Sequence, residues 1–227
     1  MKFSFSAVAS ILASALLVGA SPAIPSYSTC DVSSVNPELP SNQYNLTMPS
    51  GQHTTAITLG VGVQNYTCSD AGVYTSIGAV AVLLDISCFH GSSIFDELTT
   101  IVFDVWNATD SYSTDELVKE YSCVVTEFGQ HYFIKNPFGD GISPVFDART
   151  TSHKGDPNGF TLDVLVGTLA APTGPQDVNW LQLKNVQGDL AKTVFRLETR
   201  FGQPPMMCKP GSKDISVKYT AQYWFLS

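Results

Sequence analysis

His131 lies in "FGQHYFIKN", a strand-like run flanked by aromatics, and it is the histidine best placed to do chemistry. Paired with Asp147 of "PVFDART" it would form an acid–base couple or half of a metal site, since an imidazole oriented by a carboxylate can move protons or ligate a cation. The same residue bonded to a backbone carbonyl would be purely structural. His53, His90 and His153 share no motif spacing and sit in polar loop sequence, which suits exposed positions. Asp147, Asp163 and Glu198 are the carboxylates that could flank a scissile sugar linkage, although acids in strands more often face water. His131, Asp147 and Glu198 are therefore the catalytic candidates. No G-x-S-x-G elbow supports a serine nucleophile, and no pattern calls for a metal or cofactor.

A second stretch, "GVGVQNYTCSD" from Gly60 to Asp70, has the glycine spacing of a dinucleotide-binding loop. Such a loop must open a helix whose N-terminus faces the pyrophosphate. Here the third glycine is replaced by Asn65, and the residues that follow are turn formers and then a second β-like run, "GAVAVLLDISC". Asp85 is spaced as a ribose-binding acid would be, but the intervening helix is missing. The reading is a plain strand in which Gly60 and Gly62 mark a bulge or a close backbone approach.

The setting in which any site operates is written at the N-terminus. Lys2 precedes an apolar run from Phe3 to Val18, and Val18-Gly19-Ala20 presents small residues where a signal peptidase cuts. That run is shorter than the ~20 residues a membrane span needs, and Pro22 and Pro25 follow at once. The expectation is a leader over 1–20, an exported chain and no membrane anchor. Behind a leader, the sequons at Asn45, Asn65 and Asn107 become N-glycosylation acceptors. Cys30, Cys68, Cys88 and Cys208 become disulfide candidates, and Cys123, beside two valines, is the odd thiol. If Cys68 and Cys88 lie on the arms of one hairpin turning near 70–76, they are out of register by roughly 20 Å at ~3.3 Å per residue. A disulfide needs Cα atoms within ~7 Å, so each should pair with Cys30 or Cys208. Twenty acids against twelve bases, with no Lys/Arg cluster, argue against a nucleic-acid partner.

The elements that must position the candidates are mostly strands. Residues 21–55, rich in Pro, Ser, Asn and Thr, read as an extended arm tied down by Cys30. Residues 56–227 read as a single β-rich domain with strands expected at 56–67, 78–88, 130–135, 160–169, 178–184, 192–199 and 215–226. Pro and Gly clusters at 137–144, 155–159, 171–175 and 202–211 separate them. This spacing predicts a mainly β fold, a sandwich or distorted barrel. "SSIFDELTTIVFDVW" adds one covering helix, with Ile94, Leu98, Ile101, Val102 and Val105 on one face and Ser93 and Asp96 as a near capping box. A short turn at 115–120 could follow. Trp106, Trp180 and Trp224 could form a sugar-stacking platform, or, at alternating strand positions, core.

The series "LGVGVQNYTC", "GAVAVLLDISC", "FGQHYF", "VNWLQLK", "VFRLETRFGQPPMMC" and "YTAQYWF" resembles an uncharacterised family of secreted fungal proteins, many carrying a transferred malate dehydrogenase label. The resemblance runs from about Leu59 to Phe225 and includes cysteines matching Cys68, Cys88 and Cys208, with Cys123 outside the pattern. It implies a wall-associated setting, appressoria included, and brings no active site. Together these features predict an extracellular or cell-wall glycoprotein with a structural or polysaccharide-binding role. The alternative is a secreted carbohydrate-active or oxidising enzyme built on His131 and nearby carboxylates.

Overall fold

β8 (Ile215–Leu226) shows how one strand serves two cores. Tyr219, Ala221, Tyr223 and Phe225 alternate with Thr220, Gln222, Trp224 and Leu226, and both sets are buried, each against different partners. A computed structural model, describing residues 30–108 and 125–227, explains this double burial. The leader over 1–20, the first residues of the arm, Cys123 and the turn at 115–120 lie outside the described residues. Residues 31–227 form one compact unit.

Within that unit β1 (Thr54–Cys68), β2 (Tyr74–Asp85), β3 (Thr126–Lys135), β4 (Ile142–Asp147), β5 (Phe160–Leu169), β6 (Trp180–Gln187), β7 (Thr193–Phe201) and β8 run up and down in sequence order. Each pairs antiparallel with its chain neighbour, and β8 returns to β1, from Thr54↔Leu226 to Tyr66↔Ile215. The sheet closes into a barrel, which settles the choice between sandwich and barrel. An eight-stranded barrel has an interior just wide enough to be filled by side chains or to hold one small ligand.

The two halves of β8 follow from closure. Its Tyr and Phe residues join Ala56, Ala79, Ala81, Phe146 and Val194 inside the barrel. Trp224 and Leu226 join Ile57, Leu59, Val61 and Phe195 on the outer wall, beneath the arm residues Val32 and Leu46 and beneath α1 (Leu98–Asn107). Polar outer residues of β8 are spent on backbone groups: Thr220 Oγ1 donates to Thr99 O at 2.7 Å and Gln222 Nε2 to Phe95 O at 3.2 Å. The arm is stitched to β6 by a reciprocal pair, Thr47 N to Gln182 Oε1 and Gln182 Nε2 to Thr47 O, both 2.9 Å.

Three local expectations are corrected. β4 forms where a Pro/Gly break was expected; Gly141 (φ 84°) closes the β3–β4 hairpin, and Pro144 is tolerated because it lies beyond the β4–β5 ladder. The helix begins at Leu98 after a single 3-10 turn (Phe95–Glu97), its N-cap is Glu97, and no side chain caps it, so the Ser93–Asp96 box does not form. Its buried residues are Leu98, Thr99, Phe103 and Trp106; packing of Phe103 flat on Phe201 (centroids 4.2 Å, 8°) outweighs the aliphatic stripe.

Cys68 and Cys208 are bridged, with Cα atoms 5.9 Å apart, tying the end of β1 to the loop before β8. Cys30 and Cys88 are also disulfide-bonded. Gly60 and Gly62 lie mid-strand, and no helix follows, so the dinucleotide reading fails. A Cβ on Gly60 would stand 2.4 Å from the Tyr223 ring, so glycine here makes room for an aromatic inside the barrel. Gly60→Ala should therefore destabilise the fold by about 1–3 kcal/mol, as other overpacked cores do. Urea unfolding monitored by intrinsic fluorescence measures this; a change within ~0.5 kcal/mol, typical of neutral surface substitutions, would refute it.

Candidate functional site

The shortest ladder in the barrel wall lies between β4 and β5. β4 and β5 pair only at Val145↔Leu162, Phe146↔Thr161 and Asp147↔Phe160. Beyond these, β4 continues along β3 to Ile142 and β5 along β6 to Leu169, so residues 142–144 and 163–169 face each other without a ladder. A cavity of about 340 Å³ lies there, walled by Ile142, Pro144, Val164 and Leu165 from the unladdered segments and by Phe146 and Leu183 from the interior. This is at the lower end of the ~300–1,000 Å³ spanned by small-molecule pockets. Ile142 and Leu165, on its lining, are exposed apolar side chains.

Polar groups converge on the cavity from four strands. His131 of β3 is 3% exposed, stacks on Phe146 (centroids 4.4 Å, 13°) and bonds through Nδ1 to Val145 O at 2.9 Å. A carbonyl only accepts, so Nδ1 carries the proton and Nε2 keeps its lone pair. Burial pushes the His131 pKa down to about 3, so the ring is neutral at ordinary pH. Asp163 of β5 is fully buried; its Oδ1 accepts from Thr161 Oγ1 at 2.6 Å and its Oδ2 has no partner. Burial pushes the Asp163 pKa up to about 7. Arg196 of β7 donates through Nε and Nη2 to Asn179 O at 3.1 and 2.9 Å. Among the described residues, no carboxylate lies within ion-pairing distance of it. The Tyr223 hydroxyl meets that of Tyr219 at 2.8 Å, and burial raises both phenols, which stay protonated.

His131, Asp147 and Glu198 do not meet. Asp147 accepts from Tyr132 Oη at 2.9 Å and from Arg149 Nε and Nη2 at 2.9 and 2.6 Å. The Arg149 bonds hold its carboxyl down at about 2, the signature of a structural pair. Glu198 sits at a β7 irregularity with φ 45°, near Arg200 at 3.9 Å. Burial, with Asp96, Glu38 and Glu97 nearby, raises its pKa. Asp163, third of the carboxylate candidates, is the one that shares a cavity with His131. His53, His90 and His153 are exposed. Trp106, Trp180 and Trp224 are buried, so they form core and no platform. Arg196 and Tyr223 line the cavity; Arg196 was not singled out from sequence, although the Val194–Arg196 alternation in "VFRLETRF" was its available signal, while Tyr223 lies on the alternating face readable in "ISVKYTAQYWFL". No group of three or more His, Cys, Asp or Glu among the described residues could hold a metal ion.

Asn45 and Asn107 are exposed, and Asn65 is half-buried with its Oδ1 accepting from Ser216 Oγ at 2.7 Å. No helix among the described residues is long and apolar enough to cross a membrane.

A family model described as "Protein of unknown function (DUF3455)" matches residues 49–227. The chain belongs to that family. No curated protein and no solved structure matches it. The matched residues contain all eight strands, so the cavity and its polar groups lie within the family's domain.

Opposed titrations give the site a measurable signature. Folded Asp163 keeps its proton to about pH 7 against 3.8 for an ordinary carboxyl, so its contribution to stability is complete at low pH and is lost as pH rises through that window. His131, lowered from 6.5 to about 3, acts the other way, and its contribution is lost as pH falls. Asp163→Asn removes only the first effect. Its stability relative to wild type should grow between about pH 4 and 7, by on the order of 1 kcal/mol per pH unit. Urea unfolding across that range tests this, and parallel wild-type and variant profiles would contradict the assignment.

Proposed function

We propose that this chain is an exported, N-glycosylated, disulfide-braced binding protein whose barrel holds a small ligand in the cavity between β4 and β5. The observation that carries this reading is the unladdered stretch of wall opening onto a cavity with a largely apolar lining and a few fixed polar groups. Ligand pockets combine an apolar lining with a few fixed polar groups in this way. Disulfides support an oxidising compartment. The leader and the family resemblance carried by the quoted motifs support the extracellular space or wall of a fungus, infection structures included. Burial of the tryptophans removes the aromatic support for gripping a long polysaccharide chain, so a compact ligand is favoured.

A second reading rests on the sharing of one cavity by His131 and Asp163. A carboxyl titrating near neutrality beside a bare imidazole nitrogen is the equipment of a proton-transfer enzyme acting on a small substrate. The binding reading is preferred because His131 is already tied to Val145 O and stacked on Phe146, which fixes it as a wall.

Two measurements check the proposal. A neutral environment-sensitive fluorophore should bind the secreted protein, and Leu181→Trp, which fills the cavity from its wall, should lower that affinity at least tenfold with little loss of stability. Equal binding by the filled variant would place the ligand elsewhere. Expressed with its own leader in a secretory eukaryotic host, the chain should reach the medium or wall without residues 1–20 and lose mass on enzymatic deglycosylation. Retention inside the cell at full-length, unmodified mass would end the export reading.

A further inference from the structure

The polar groups of the cavity are not neutral in their demands. Arg196 brings a guanidinium into a space whose other walls are largely apolar, and among the described residues no carboxylate balances it. Its Nε and Nη2 bonds to Asn179 O satisfy donors but supply no counter-charge. A buried cation in this condition is costly, and an anion entering the cavity would relieve it. Asp163, which shares the lining with it, makes no ion pair and is hydrogen-bonded to the Thr161 hydroxyl instead.

We propose that the cavity selects a monoanionic amphipathic molecule, a carboxylic acid with a short apolar or aromatic body, whose head is bound by Arg196 and whose body lies against Phe133, Phe146, Leu181 and Leu183. This rests on the reading of the cavity as a ligand site. One cation, with no second charged basic group among the described residues lining the space, suits a single negative charge better than a phosphate dianion. The Tyr223 hydroxyl lies on the same lining, hydrogen-bonded to the Tyr219 hydroxyl. The body would leave between Ile142 and Leu165, the exposed apolar residues on either side of the unladdered wall.

Asp163 acts here as a tuning residue. Protonated, it leaves the field of Arg196 free for the ligand; ionised, it would oppose an incoming anion. The other charged or titratable groups on the lining are His131, Arg196 and Tyr223, from β3, β7 and β8. His131 is neutral above about pH 3 and Tyr223 is raised, so neither changes charge near neutrality. Acid affinity should therefore fall as pH rises through about 7.

The test is displacement of a bound neutral fluorophore from the secreted protein by octanoate and by 1-octanol, which differ only in the head group. Octanoate is expected to displace the probe at a concentration at least tenfold below that of octanol at mildly acid pH. Arg196→Gln should bring the two within about twofold, whereas Arg196→Lys should keep most of the preference by retaining the charge. Circular dichroism checks that the variants fold. Should Arg196→Gln fail to fold, Asp163→Asn decides, because it should abolish the weakening of octanoate binding between about pH 6 and 8. Probe binding with octanol and octanoate equally effective would overturn the anionic-head assignment while leaving the cavity as a ligand site. Failure of the probe and of both competitors to bind would overturn both.

Discussion

Pairing of β8 with β1 is the constraint on which the remaining structure depends. Because Thr54 through Tyr66 lie alongside Leu226 through Ile215, the sheet has an inside and an outside, and every strand residue is assigned to one of them. A one-residue slip would exchange the two sets along a whole strand. The consequence is visible in β8, where Tyr223 fills the space left by Gly60 while its neighbours Gln222 and Trp224 serve the helix side. Closure also limits interior volume, which is why Ala56, Ala79, Ala81 and Ala221 face the large rings of Phe146, Tyr219 and Tyr223. The cavity arises where this closure is weakest, at the three-pair contact of β4 with β5.

Much of the fold was legible because alternation is a local property. The strands at 160–169 and 215–226 match the observed bounds, and the inward face of the last strand can be read directly from "ISVKYTAQYWFL". Closure itself was not legible, since it depends on the register between segments more than a hundred and fifty residues apart. β4 was hidden by Gly141 and Pro144, which usually interrupt strands but here fall at a hairpin and beyond a ladder. The helix face was legible in part, with Leu98 buried and Ile94 and Val102 packed on the core, and was rotated toward Phe103 and Trp106 for a tertiary reason. An aliphatic stripe is a sound guide until aromatic residues such as Phe103 and Trp106 find flat partners or deep sites.

The site was legible in its histidine and, as one of three carboxylates that sequence could not rank, in Asp163. His131 stood out by its aromatic neighbours, and those neighbours prove to be part of its environment, with Phe133 and Phe146 packed on the ring. Its partnership with Asp147 failed because the two side chains leave the sheet on opposite faces: Asp147 bonds Tyr132, the residue next to His131 and therefore on the other side. The short-range cue was present in "DAR", which places Arg149 two residues from the carboxylate it holds. Asp163 and Arg196 could not be assigned from sequence alone. A charged residue in an alternating strand reads as solvent-facing until closure shows that its face is the interior.

That inward placement separates function from stability in this barrel. A chain needing only a firm core could fill the same positions with aliphatic residues, and replacing buried ionic groups by such residues is often neutral or stabilising. Here β3, β5 and β7 each place an ionisable group inside: a neutral imidazole, a carboxyl with an unpartnered oxygen, and a guanidinium with no carboxylate among the described residues in ion-pairing reach. None of the three neutralises another, so they do not form the closed network that would make burial self-sufficient. All three line the space opened by the splayed β4 and β5 segments. Local departures from the rules of stable cores tend to gather where a protein does its work. Their common position beside the shortest ladder of the wall ties the polar interior to the opening, and it is on this coincidence that the proposed ligand site rests.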